Sequence, residues 1–176
     1  MKIGIDISQL AFKNTGVANY LSKLIESLIE NDKENEYIFF FSSFRQNLPA
    51  HILKHQSNPK VTIKCFKFPP SFLDLIWNNL HILPIDWLMG KVDLLITSDW
   101  VEPPSKSKKA TIIYDLIVYK FPKETAQKII DVQKRKLKWV KKESDLIFTI
   151  SESSKKDIEE LLGIDKSKIK VIIPGL

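Results

Sequence analysis

The chain has 176 residues, 44% of them hydrophobic and 27% charged, with a formal net charge of +6. That length is one ordinary domain with room for a core, and that balance excludes a disordered chain. No apolar run approaches the roughly 20 residues of a membrane-spanning helix, and the start Met1-Lys2-Ile3-Gly4-Ile5-Asp6 lacks the apolar stretch of a signal peptide.

Lys2-Ile3-Gly4-Ile5-Asp6 is a short apolar strand ending in a carboxylate. Val17, Tyr20, Leu21, Leu24, Ile25, Leu28 and Ile29 then recur at the spacing of an amphipathic helix, which Asn31-Asp32-Lys33-Glu34-Asn35 ends. Residues 37–41 form a buried-type strand, residues 45–56 a weak helix or loop, and residues 61–68 a third strand broken by Pro69-Pro70. Residues 72–88 are a strongly apolar helical region interrupted by Pro84. Two more strands, 92–97 and 110–114, are joined by the polar loop 98–109. A helix follows Pro122, whose fixed φ suits a helix start. Residues 145–150 are a sixth strand. Ser151 can cap the helix after it, with Glu152 at its positive end and Gly163 at its C′ position. A seventh strand, 168–173, follows if that run pairs, and it leads into Pro174-Gly175.

Apolar strands alternating with helices imply parallel crossovers. The expected fold is therefore α/β: a doubly wound, mostly parallel, Rossmann-like sheet of six to seven strands with helices on both faces. The single Cys65 cannot form an internal disulfide and is expected as a buried core thiol in a reducing, cytoplasmic setting. Between Lys120 and Lys142, nine bases stand against Glu124 and Asp131, a local excess of +7, so the rest of the chain sums to about −1. That segment is either one solvated basic face or a surface for anionic lipid headgroups. Nucleic acid is disfavoured because no glycine-rich or RNP-like motif accompanies it.

In open α/β sheets ligands bind beyond the carboxyl ends of the strands, which selects four loops. The first runs from Asp6 through Gly16, and its last residues, Asn14-Thr15-Gly16, lie where the first helix begins, so that free N–H groups and a glycine allow an anion to approach; Gly16 can equally be a turn glycine. Tyr114-Asp115 follows the fifth strand, where Asp115 can orient a sugar hydroxyl, take its proton, or brace its own loop. Ser98-Asp99-Trp100-Val101-Glu102 follows the fourth strand, where an exposed Trp100 between the carboxylates of Asp99 and Glu102 suits sugar stacking, or the indole folds onto the core. At Ser151-Glu152 a helix cap competes with a ligand contact. His51, His55 and His81 form no HExxH pair and no CxxC or GxSxG occurs, so neither a metal site nor a covalent nucleophile is indicated. His81 is expected as a hydrogen-bonded core residue.

In order, Lys2–Asp6, Gly16-Val17-Ala18-Asn19-Tyr20, Asn35-Glu36-Tyr37, residues 110–116 with Phe121-Pro122, Ser144 through Ser151, Ser154-Lys155-Lys156-Asp157, Leu162-Gly163-Ile164 and the run 168–175 resemble the N-terminal domain of a GT-B glycosyltransferase of family 4, the glycosyl transferases group 1. The resemblance implies sugar transfer from a nucleotide-sugar to a glycan or lipid-linked acceptor, without an obligatory metal or other cofactor, as in surface-glycan synthesis. It makes residues 1–176 the acceptor-side domain, with Pro174-Gly175 as the hinge toward a donor domain absent from these residues. It implies that Gly16, with Asn14 and Thr15, approaches the donor diphosphate and that Asp115 and Tyr114 stand at the reacting sugar. Tyr114 departs from the family's usual His and cannot carry a proton near neutral pH as imidazole does. An alternative is a non-catalytic subunit that docks a separate partner carrying the donor domain.

Overall fold

The computed structural model describes residues 1–98 and 100–173. The expectations placed on Asp99 and on Pro174-Gly175 fall outside the described residues. In chain order the elements are β1 (Lys2–Asp6), α1 (Gly16–Asn31), β2 (Glu36–Ser42), α2 (Ala50–Leu53), β3 (Val61–Phe66), α3 (Pro70–Leu73) running into a π-helical turn (Asp74–Asn79), and α4 (Asp86–Met89). They continue with β4 (Leu94–Ser98), β5 (Lys108–Ile112), α5 (Ile117–Lys120), α6 (Gln127–Glu143), β6 (Leu146–Thr149), α7 (Glu152–Leu162) and β7 (Ile169–Val171). The strands form one all-parallel sheet of seven in the order β3-β2-β1-β4-β5-β6-β7. The last run does pair, Ile147 lying opposite Ile169, so the α/β expectation holds at its upper strand count.

Alternation along the central strands sorts the core into two layers. Ile5, Tyr37, Phe39 and Phe41 pack under the stripe Ala18, Leu21, Ile25 and Ile29 of α1, with Ile52 of α2 beside them. Ile38, Phe40 and Leu95 face the other way, against Leu73, Ile76, Trp77, Ile85 and Met89. Gly4 belongs to that second layer: a Cβ there would lie 2.9 Å from Met89 Sδ and 3.2 Å from Val92 Cγ1. Leu137 and Val140 of α6 and Ile158 and Leu162 of α7 close a third cluster over Ile147 and Ile169.

The β4–β5 crossover has no helix, and beneath it a polar cluster replaces an apolar stripe. Glu102 is fully buried. Its Oε2 accepts from Thr97 Oγ1 at 2.6 Å and Thr111 Oγ1 at 2.9 Å, while Oε1 forms an ion pair with Lys109 Nζ at 3.0 Å, bent too far for a hydrogen bond. Lys109 also reaches Glu143 Oε2 at 3.0 Å and donates to the Pro103 carbonyl at 2.8 Å.

Several expectations are corrected. Residues 72–88 are helical as expected but interrupted more widely than at Pro84 alone: α3 runs into the π turn, and a loop in which His81 and Leu83 adopt φ of 53° and 58° separates that turn from α4. Cys65 is exposed. It lies on β3, an edge strand. Pro122 opens only a short turn (Pro122–Glu124), and α6 begins at Gln127. The basic segment is not one solvated face, because Lys136 is buried, Arg135 pairs with Asp74 at 2.7 Å and Lys120 with Asp157 at 2.9 Å. His81 is satisfied as expected, through the Trp77 carbonyl and Glu143.

Candidate functional site

The strand order reverses between β1 and β4, and in such sheets the ligand crevice opens at the carboxyl ends of those strands. A cleft of about 420 Å³ lies there, bounded by Asp6, Gln9, Phe12, Arg45, Pro70 and Trp100. Trp100 is its shared wall. The same indole bounds a cleft of about 520 Å³ toward Asp74 and Arg135 and another of about 330 Å³ toward Tyr114, Asp115 and Lys136. A fourth hollow of about 390 Å³ joins Gly16, Asn19, Tyr20, Lys23, Tyr114 and Asp115.

The α1 end is built by local bonds. Thr15 Oγ1 accepts from the Ala18 N–H at 3.2 Å and donates to the Phe12 carbonyl at 3.0 Å, so its hydroxyl is engaged as the helix cap. Asn14 supports the turn in a left-handed conformation, φ 64°, and lines a separate hollow with Lys13 and Ser22. Gly16 is different. A Cβ built on it meets nothing within 4 Å, so no packing inside the described protein demands a glycine, and its N–H end opens onto the fourth hollow.

Tyr114 is 8% exposed, its hydroxyl 2.9 Å from Ser98 Oγ and its ring edge-on to Tyr20 at 5.5 Å. Its carbonyl accepts from Ser154 Oγ at 3.0 Å. Asp115, next along, is exposed at the border of two clefts. One of its oxygens accepts from the Ile117 N–H at 3.0 Å, a turn-bracing bond. Ser151 caps α7 through the Ser154 N–H at 3.0 Å, and Glu152 is exposed in that helix's first turn. The structure thus brings Gly16, Tyr114 and Asp115 into one hollow and Trp100 into the adjoining cleft, while neither Ser151 nor Glu152 lines these clefts.

Two charged residues of the crevice receive no role of their own in the sequence, where Asp6 is read only as the start of the first loop. Asp6 is 1% exposed at the end of β1. Burial pushes its carboxyl up to about 6, against the opposing pull of the Ser8 hydrogen bonds and the positive charge of Lys136. Such a group changes protonation close to neutral pH. Lys136 reaches the crevice from α6 with its side chain buried. For Asp6 the signal was a carboxylate closing a buried strand at the sheet's first station; for Lys136, one base among nine, no local signal existed. A concave, mostly apolar crevice with a few converging polar groups has the make-up of a small-molecule site.

No group of His, Cys, Asp and Glu among the described residues is arranged to hold a metal ion. Among the same residues no helix is long and apolar enough to cross a membrane. No protein-family model matches the chain, and no curated protein matches it.

Proposed function

We propose that the chain is the acceptor-binding half of a nucleotide-sugar-dependent glycosyltransferase of the GT-B type, similar to family 4 and active in surface-glycan synthesis on the cytoplasmic side. One observation carries this reading: Gly16 and Tyr114-Asp115, far apart in sequence, line one hollow at the carboxyl ends of the strands. The Asp115 carboxylate is exposed and can accept a hydrogen bond from an acceptor hydroxyl, orienting it and taking its proton as the glycosidic bond forms. The α1 N-terminus, unobstructed beside Gly16, offers backbone N–H groups and a positive dipole end to the departing diphosphate. The reading assigns no resident cofactor and routes no step through a metal. The nucleotide-sugar enters as substrate, and a donor domain supplies most of its contacts.

Amide chemical shifts of the isotope-labelled chain test this. An oligosaccharide acceptor should perturb Trp100 and Asp115, and a nucleoside diphosphate should perturb Gly16 through Ala18 weakly. Sugar transfer should be undetectable for the 176 residues alone. Saturable binding of a flavin or nicotinamide nucleotide, or transfer by this chain unaided, refutes the proposal.

A second reading, a non-catalytic subunit docking a donor-domain partner, draws on Tyr114. That side chain is packed against Tyr20 and engaged by Ser98 rather than presented to a substrate. Tyr114→Phe separates the two: unchanged transfer in the assembled enzyme assigns Tyr114 to packing, and a large loss assigns it to the reaction.

A further inference from the structure

Six large apolar side chains, Phe72, Leu75, Leu80, Ile82, Leu83 and Trp87, are 39% to 76% exposed along one short stretch. The same stretch buries Leu73, Ile76, Trp77, Ile85 and Met89 in the core. It is therefore apolar on both sides, whereas a covering element normally turns polar residues to water. Isolated exposed apolar residues are ordinary, but a contiguous set marks an interaction surface.

The loop at its centre is held, not slack. The Leu80 N–H donates to the Leu75 carbonyl and the Ile82 N–H to the Ile76 carbonyl, both at 2.9 Å. Trp77 Nε1 donates to the Leu83 carbonyl at 2.9 Å, and His81 Nδ1 meets the Trp77 carbonyl at 2.8 Å. His81 Nε2 meets Glu143 at 2.8 Å while its ring stacks on Trp139 with centroids 3.5 Å apart. These clamps sustain left-handed backbone at His81 and Leu83, which side-chain-bearing residues disfavour. A strained and tightly fastened turn thus presents Leu80, Ile82 and Leu83 to solvent.

Positive charge adjoins it. The ammonium groups of Lys138 and Lys142 stand 5.3 and 5.0 Å from the centre of the same Trp139 ring, and both residues are exposed. The carboxylates around the stretch are engaged elsewhere: Glu143 by His81 and Lys109, Asp74 by Arg135, and Asp86 by Ser105, Ser107 and the Lys106 N–H.

We propose that this face seats the protein on an anionic lipid bilayer. Leu80, Ile82 and Leu83 enter the boundary between headgroups and acyl chains, Trp87 lies at headgroup depth, and Lys138 and Lys142 meet the lipid phosphates. The pairing of an aliphatic tip with ammonium groups that no carboxylate among the described residues neutralises favours a lipid surface over an apolar protein partner. The inference does not depend on the catalytic reading, since it concerns a different part of the surface.

Co-sedimentation of the chain with vesicles tests it. Mixed phosphatidylglycerol–phosphatidylcholine vesicles should bind the protein and pure phosphatidylcholine vesicles should bind it far more weakly, with the difference shrinking as salt is raised. Leu80→Glu combined with Ile82→Glu should abolish binding without altering the melt, because both side chains are exposed. If that variant fails to fold, Trp87→Ser, at 76% exposure, makes the same measurement. Lys138→Glu combined with Lys142→Glu should weaken anionic-vesicle binding about tenfold or more. Absent binding, equal and salt-insensitive binding to both vesicles, or self-association that Ile82→Glu abolishes, which would make a second copy the occupant, overturns the proposal.

Discussion

The two elements that cover β1 and β2 solve one problem in opposite ways. α1 is a single helix whose inner stripe, Ala18, Leu21, Ile25 and Ile29, is buried while Lys23, Ser27 and Glu30 face water. The stretch 70–89 on the opposite face is broken into turns, buries Trp77 and Met89, and turns a second set of apolar side chains outward. α1 is secured by periodicity and a cap. The other cover is secured by polar clamps to distant elements: Asn78 accepts from the Glu102 N–H at 3.0 Å and Trp139 Nε1 donates to the Asn78 carbonyl at 2.8 Å. Local sequence thus suffices for one cover, and the tertiary fold must assemble the other.

The largest expected effect tests the buried polar cluster beside that second cover. Glu102→Ala strips the buried Lys109 of one partner and empties the acceptor between Thr97 and Thr111, at a cost of about 3–5 kcal/mol in urea unfolding. A loss below about 1 kcal/mol would mean that this buried cluster contributes little to stability. Within the same stretch, Trp77→Ala should cost about 3–5 kcal/mol and Trp87→Ala no more than about 0.5 kcal/mol, because one indole is fully buried and the other 76% exposed. Equal losses would show that the outward apolar set is packed after all.

Asp6 lies at the end of β1, the strand both covers share, and its effect depends on pH. A carboxyl raised to about 6 favours the protonated folded state, so this contribution to stability is full below about 3.8 and is lost as pH rises through about 6. Asp6→Asn should therefore be more stable than the parent by about 1–3 kcal/mol at pH 8, the difference vanishing near pH 4 in melts at the two pH values. A pH-independent difference would place the carboxylate in water. The smallest effects test α1. Thr15→Ala should cost about 1 kcal/mol through the lost cap. Gly16→Ala should leave stability unchanged or raise it by up to about 1 kcal/mol, since the added methyl meets no protein atom. If Gly16→Ala also leaves nucleoside diphosphate binding untouched, the α1 end is not the phosphate site.

The sequence by itself determined what local interactions control. The stripe of α1, the Ser151 cap, the left-handed Gly163 that ends α7 and the alternation of strands with covering segments all depend on neighbours within a few residues. A mostly parallel sheet of six to seven strands followed from that alternation, the pairing of β7 fixed the count at seven, and strand ends shifted by only a few residues, as at β4 and β5. Gly16, Tyr114 and Asp115 could be chosen because the carboxyl ends of parallel strands are where ligands bind, whatever the detail. Only the tertiary structure decided the rest. Whether Lys136 is buried and Cys65 exposed depends on which elements cover them, and those elements are distant in sequence. Apolar composition read residues 72–88 as a helical region broken at Pro84, but gave neither the π turn nor the length of the break. The left-handed turns at His81 and Leu83 persist because Trp139 and Glu143, some sixty residues on, hold the loop in place. A periodic pattern reports a residue's own neighbours, whereas burial, strain and charge pairing are set by contacts that exist only after the chain has folded.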